Sequence, residues 1–137
     1  PLLKMLKQIE DLQILNLLKH LQERLKLTYL FVSHDLAVVE YMSNRIAVMY
    51  LGRIVEENTR RGIYTHPLHP YTQSLIRSIP GKRAKALAAI AGEIPAPDNP
   101  PSGCHFHPRC PHAMPRCREI YPSMKRIGRT RVACHLY

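Results

Sequence analysis

The chain has 137 residues, 45% of them hydrophobic, and 20 Lys and Arg against 10 Asp and Glu give it a formal charge of +10. That length accommodates one modest domain, or a core piece with an appendage, and excludes two full domains. No run approaches the roughly 18 apolar residues of a membrane span, and no basic, apolar and small-residue succession marks a signal peptide, so a soluble, cytoplasmic protein is expected. Residue 1 is proline and a helical pattern begins almost at once, so the chain reads as a fragment of a longer polypeptide.

A basic balance suits nucleic acid, an anionic membrane surface or a bound anionic cofactor, and equally a surface that is merely solvated. The excess is uneven. From Cys104 onward Arg109, Arg116, Arg118, Lys125, Arg126, Arg129 and Arg131 stand against Glu119 alone.

From Leu12 to Leu25, Ile14, Leu17, Leu18, Leu21 and Leu25 recur at helical spacing with Asn16, Lys19, Gln22, Glu23 and Lys26 opposite, which predicts an amphipathic helix. Leu27 to Val32 then predicts a short strand buried on both faces, hence parallel. Ser33-His34-Asp35 follows at the strand's carboxyl end, where open α/β sheets place ligand-contacting groups, and Asp35 is placed to cap a helix over Leu36 to Met42. Arg45 to Tyr50 and Arg53 to Glu56 predict a hairpin turning at Leu51-Gly52.

His66 to Tyr71 should be extended, since each proline disfavours helix at the residue before it, while Pro70 opens a helix running to Ile79. A second helical segment is expected over Lys82 to Ala91. Pro95, Pro97, Pro100 and Pro101 then stiffen a linker that sets the cysteine-bearing tail apart from what precedes it. No internal repeat is present.

The run Tyr29-Leu30-Phe31-Val32-Ser33-His34-Asp35-Leu36 resembles the switch-histidine region of ABC ATPases. The likeness continues through Ile46-Ala47-Val48-Met49-Tyr50-Leu51-Gly52-Arg53-Ile54-Val55-Glu56 and His66-Pro67-Leu68-His69-Pro70-Tyr71-Thr72. With Gly92-Glu93-Ile94-Pro95 and the stretch from Pro101 to Cys110 it is similar to the ATP-binding subunits of oligopeptide and dipeptide importers. The resemblance implies an α/β fold: the C-terminal fragment of an ABC ATPase domain over residues 1–60, a helical connecting segment over 61–94, and a small cysteine-containing extension over 95–137. It implies a subunit peripheral at the cytoplasmic face of the membrane, partnered by a second ATP-binding subunit and permease subunits and indirectly by a peptide-binding protein, with ATP and Mg²⁺ as cofactors. By the same likeness His34 contacts the γ-phosphate and orients the attacking water, a task suited to an imidazole that donates on one nitrogen and accepts on the other. Asp35 reads as structural.

The departures from the family are as informative. No Gly-x-x-x-x-Gly-Lys-Ser/Thr phosphate cradle, no Ser-Gly-Gly-Gln signature and no apolar strand ending in Asp-Glu occurs in the chain. Lys7 stands where the family's dimer-contacting loop ends in Asp, and residues 1–12 read as unrelated sequence. The chain alone is therefore expected to be inactive toward ATP.

All four cysteines, Cys104, Cys110, Cys117 and Cys134, lie in the last 34 residues with spacings x5, x6 and x16. In a cytoplasmic protein such clustering points to metal or cluster ligation rather than disulfides. No tight Cys-x2-4-Cys pair of the usual zinc kind is present, and the wider steps suit a larger body. Members of the resembled subfamily carry a [4Fe-4S] cluster in this extension, which implies the four cysteines as its ligands. Zn²⁺ remains an alternative, with His105, His107, His112 or His135 replacing a cysteine, and so do unligated thiols. A stand-alone metal-stabilised module touching nucleic acid is the rival function, yet aromatic content is only 7% and no base-stacking motif occurs, so no nucleic-acid partner is expected.

Overall fold

The computed structural model describes residues 2–79 and 92–137, with side chains from residue 12 onward in the first helix. It divides after Ser43 into two compact units. The helical segment expected over Lys82 to Ala91 lies outside the described residues.

The first unit opens with helix α1, Leu2–Leu25. Lys26 takes a left-handed conformation at φ 54°, and the Leu27 N–H then reaches back to the Gln22 carbonyl at 3.2 Å, a bond that closes the helix end. Leu15 is buried and Leu18 and Leu21 are half-buried, while Ile14, Leu17 and Leu25 of the expected apolar face are exposed. Helix α2, Leu36–Met42, forms where expected, with Asp35 Oδ1 accepting the N–H groups of Ala37 at 2.8 Å and Val38 at 3.3 Å. Between the two helices the expected strand does not form. Residues 27–32 are irregular, with Leu30 95% and Val32 89% exposed. A parallel strand exists only through a neighbour's ladder, and the described residues of this unit contain no other strand.

The second unit is built on a four-stranded antiparallel sheet in the order β1-β2-β4-β3. Strands β1, Arg45–Tyr50, and β2, Arg53–Thr59, make the expected hairpin, turning through Leu51 at φ 43° and Gly52 at φ 74°. Two successive residues with positive φ give the turn whose twist matches the flanking strands. Helix α3, Arg60–Thr65, is not signalled by periodicity: it is too short to show one, and Thr59 starts it by accepting the Gly62 N–H at 3.2 Å. Helix α4, Pro70–Arg77, starts at Pro70 as expected and ends two residues before Ile79.

The tail is not set apart by its proline linker. After a 3₁₀ turn at His107–Arg109 and a short helix α5, Pro115–Glu119, strands β3, Lys125–Ile127, and β4, Thr130–Val132, form a second hairpin. β4 pairs with β2 through Glu56 opposite Val132 and Glu57 opposite Arg131, and the Ala133 N–H reaches the Val55 carbonyl at 2.9 Å. Asn58 adds a side-chain tie, donating to Thr130 Oγ1 at 2.6 Å. The shared core holds Tyr50, Val55 and Phe106, with Tyr71, Cys104 and Cys110 packed against it. Phe106 stands edge-on to Tyr50 at 5.2 Å and tilted to Tyr71 at 5.4 Å, arrangements favoured by aromatic quadrupoles.

Candidate switch histidine and four-thiol site

His34 and the four cysteines fall in different units. His34 is exposed, between the irregular segment and the Asp35 cap of α2, and the Asp35 N–H donates to Ser33 Oγ at 3.0 Å. The local turn thus holds the histidine at a helix start with its side chain open to solvent.

Three of the cysteines come from loops and one from helix α5. Cys104 comes just after Gly103, whose φ of 64° and tight surroundings admit no side chain: a Cβ there would stand 2.5 Å from the Cys117 carbonyl oxygen. This close approach lets the Cys104 N–H donate to that same oxygen at 2.8 Å, while Ser102 Oγ donates to the Arg118 carbonyl at 2.8 Å. Cys117 is buried in α5, and its sulfur accepts the Met114 N–H at 3.5 Å. Cys134 is buried just beyond β4, and Cys110 follows the 3₁₀ turn. None of the four is in a disulfide.

Every pair among these thiols is within electrostatic reach. Burial pushes the Cys104 thiol up to about 11, the Phe106 amide lowers it, and charge on Cys117, Cys134 and Cys110 adds to the rise. Burial likewise raises Cys110, which also feels Cys117, and raises Cys134, which feels Cys110 and Cys117. Yet among the described residues no three of His, Cys, Asp and Glu stand close enough to hold one metal ion. That holds for zinc and for a cluster alike. One ring nitrogen of His107 and one of His135 lie 2.9 Å from the carbonyl oxygens of Cys104 and Ile120, which leaves the other nitrogen of each ring without a part in these bonds.

Beside His105, a candidate ligand in the sequence, stand Tyr121 and Arg53, which the sequence does not single out for the site. His105 meets Tyr121 edge-on at 5.3 Å, and the Arg53 guanidinium lies 5.4 Å from the Tyr121 ring centre. Tyr50 Oη and His105 Nδ1 are buried without a hydrogen-bond partner. Behind the core, the fully buried Glu56 carboxylate accepts the N–H groups of Leu68 at 2.8 Å and His69 at 2.9 Å. Nothing in the periodicity of β2 distinguishes this glutamate from a solvated one.

Residues 55–117 match the family described as oligopeptide/dipeptide transporter, C-terminal region. The chain is also similar to peptide-import ATP-binding proteins. It is 52% identical over 126 residues to a Brucella abortus protein named for peptide import and ATP binding, covering 91% of this chain and 38% of that protein. It is 48% identical over 131 residues to the oligopeptide transport ATP-binding protein AppF of Bacillus subtilis, covering 91% of this chain and 40% of the relative. The chain therefore spans about two fifths of the length of these relatives, and its mixture of helices and antiparallel sheet agrees with the α/β class expected of an ABC ATPase C-terminal region. No described helix is long and apolar enough to cross a membrane.

Proposed function

We infer that this chain is the C-terminal part of an ATP-binding subunit of an ABC transporter that imports oligopeptides or dipeptides. In the complete subunit it works at the cytoplasmic face of the membrane, against a paired ATP-binding subunit and permease subunits, with a peptide-binding protein as an indirect partner. The observation that carries this reading is the 91% of the chain that aligns at about half identity with peptide-import ATP-binding proteins. The exposed apolar segment Leu27 to Val32 supports it, because a parallel sheet contributed by the rest of such a subunit would cover residues that are otherwise left in water.

In that setting His34 is the catalytic and nucleotide-contacting residue. Its imidazole, held open beside the Asp35 cap, donates a hydrogen bond to the γ-phosphate and orients the water that attacks it. Such a contact strengthens as charge moves in the transition state, so it contributes to turnover more than to affinity. Replacing the matching region of the Brucella abortus relative with this chain tests the assignment: the chimera should hydrolyse ATP, and His34→Ala should abolish hydrolysis while leaving nucleotide binding nearly unchanged. Equal turnover in both chimeras would overturn it.

Cys104, Cys110, Cys117 and Cys134 would hold a [4Fe-4S] cluster. What supports the reading is that Cys104, Cys110 and Cys134 each feel charge on Cys117, so the four thiols share one neighbourhood. When bound, the group joins four thiolates into one rigid, anionic body. The chain's own part is structural: Gly103, the Cys104 to Cys117 backbone bond and the β2 to β4 pairing bring the cysteine-bearing segments to one place.

A further inference from the structure

We propose that the open edge of the second unit's sheet, strand β3, takes up an acidic extended segment of a partner protein as an added strand. The sheet runs β1-β2-β4-β3, so β3 has a neighbour on one side only, and its residues Lys125, Arg126 and Ile127 are all exposed. A strand in that position presents unpaired backbone N–H and C=O groups, which an incoming strand can satisfy. Side chains decide which strand is accepted. Arg126 stands directly opposite Arg131, and Arg131 opposite Glu57, so the three side chains form a row on one face of the sheet. Glu57 neutralises Arg131, its carboxylate 2.8 Å from the guanidinium. Among the described residues no carboxylate is paired with Arg126, at the outer end of the row. Like charges directly opposite each other are unfavourable in an antiparallel ladder, and a carboxylate one strand further out would restore the alternation of sign.

Successive strand residues alternate between faces, so Lys125 and Ile127 lie on the side away from Arg126. The added strand therefore needs an acid on the face of Arg126 and an uncharged β-branched residue on the face of Ile127, which is 39% exposed. Lys125 already donates to the Tyr137 carbonyl oxygen, which leaves Arg126 as the cation that selects. Arg129, exposed in the turn with Gly128, adds a second positive charge at the end of the same edge. Short, charged edge strands also turn away a second copy of the same chain. Both effects come from the same residues, because repelling a like edge and attracting an opposite one are two halves of one specificity. The other edge, β1, carries Arg45 alone among six residues and has no such preference. A lipid surface or a nucleic acid would meet the charge but leave the edge backbone unpaired.

The test uses the full chain and two short synthetic peptides, one alternating glutamate with threonine and one alternating lysine with threonine. Affinity is read by fluorescence anisotropy and the site by amide chemical shifts and hydrogen exchange. The expected result is binding of the acidic peptide, weakened by salt, with the perturbed and newly protected amides on β3. Arg126→Glu turns an attractive cross-strand pair into a repulsive one, so it should bind the acidic peptide about tenfold more weakly and should gain the lysine peptide. Arg126→Gln should fall between the parent and Arg126→Glu. Arg77→Glu, exposed on α4, changes the net charge equally and should leave both affinities at the parent value, with circular dichroism unchanged in all three variants. Failure of the parent to bind the acidic peptide, perturbed amides on β1 instead of β3, or equal weakening by Arg77→Glu would overturn the proposal. Binding of phosphatidylglycerol vesicles or of an RNA duplex in place of the acidic peptide would overturn it as well, in favour of a surface that acts through charge alone.

Discussion

Glu56 and His69, thirteen residues apart, are joined by a 2.9 Å hydrogen bond from the His69 N–H to the buried Glu56 carboxylate. The other carboxylate oxygen accepts the Leu68 N–H at 2.8 Å, so one side chain of β2 fixes the backbone entering α4. Glu56→Gln leaves one oxygen and turns an NH₂ group toward an N–H. We expect a loss of about 2–3 kcal/mol, measured as a shift of the urea midpoint of the second unit. A shift below about 0.5 kcal/mol would contradict the clasp, since that is the range of uninvolved surface sites.

His69 gives the second unit a pH dependence. Burial lowers its folded value to about 4 from the ordinary 6.5, and its Nδ1 accepts the Tyr71 N–H at 3.1 Å, which requires the neutral ring. The unfolded chain therefore binds the extra proton first as pH falls. Stability from this group is complete above about pH 6.5 and is lost progressively down to about pH 4, by about 3 kcal/mol in all. His69→Asn keeps a short polar side chain and removes the titration, so the difference between the two stability profiles should be flat above pH 7 and should close toward pH 4. A constant difference across that range would contradict the assignment.

Local chemistry makes α2 and the first hairpin legible in the sequence, because the Asp35 cap and the Leu51-Gly52 turn act over a few residues. The composition of Leu27 to Val32 is that of a strand, but a parallel strand is made by its neighbours and none stands among the described residues of its unit. The pairing of β2 with β4 joins residues about 75 positions apart, Glu56 with Val132, and no short-range pattern reports it. For the same reason the tail reads as separate in the sequence, whereas its Phe106 lies in the core of the first hairpin. The cysteines are visible as a group; the surrounding Arg53, Tyr121 and His105 stack is not, because it assembles residues from three distant stretches. Thr59 followed three residues later by Gly62 is the one available signal for α3.

Gly103 should be intolerant of any side chain. At φ 64°, an alanine methyl would stand 2.5 Å from the Cys117 carbonyl oxygen, so Gly103→Ala must open the contact that carries the Cys104 to Cys117 hydrogen bond. The expected cost is about 1–3 kcal/mol, from backbone strain and the lost bond. Thermal melting should show it, and iron bound per chain should fall with it. By contrast Gly52→Asn, where φ is 74° and nothing lies near the added carbon, should be tolerated in both assays.

ATP turnover by the chain alone should be undetectable, since it contains no phosphate-cradling Gly-x-x-x-x-Gly-Lys-Ser/Thr run and His34 then has no γ-phosphate to contact. A coupled assay for released phosphate checks this. Turnover that disappears on His34→Ala would contradict it.

The most direct test of the four-thiol site is metal and acid-labile sulfide analysis of the full chain after anaerobic purification. About four irons and four sulfides per chain, with broad absorption near 400 nm that is lost in Cys117→Ser, is the expected result. Stoichiometric zinc without iron, or a metal-free chain whose melting is unchanged by Cys117→Ser, would contradict it.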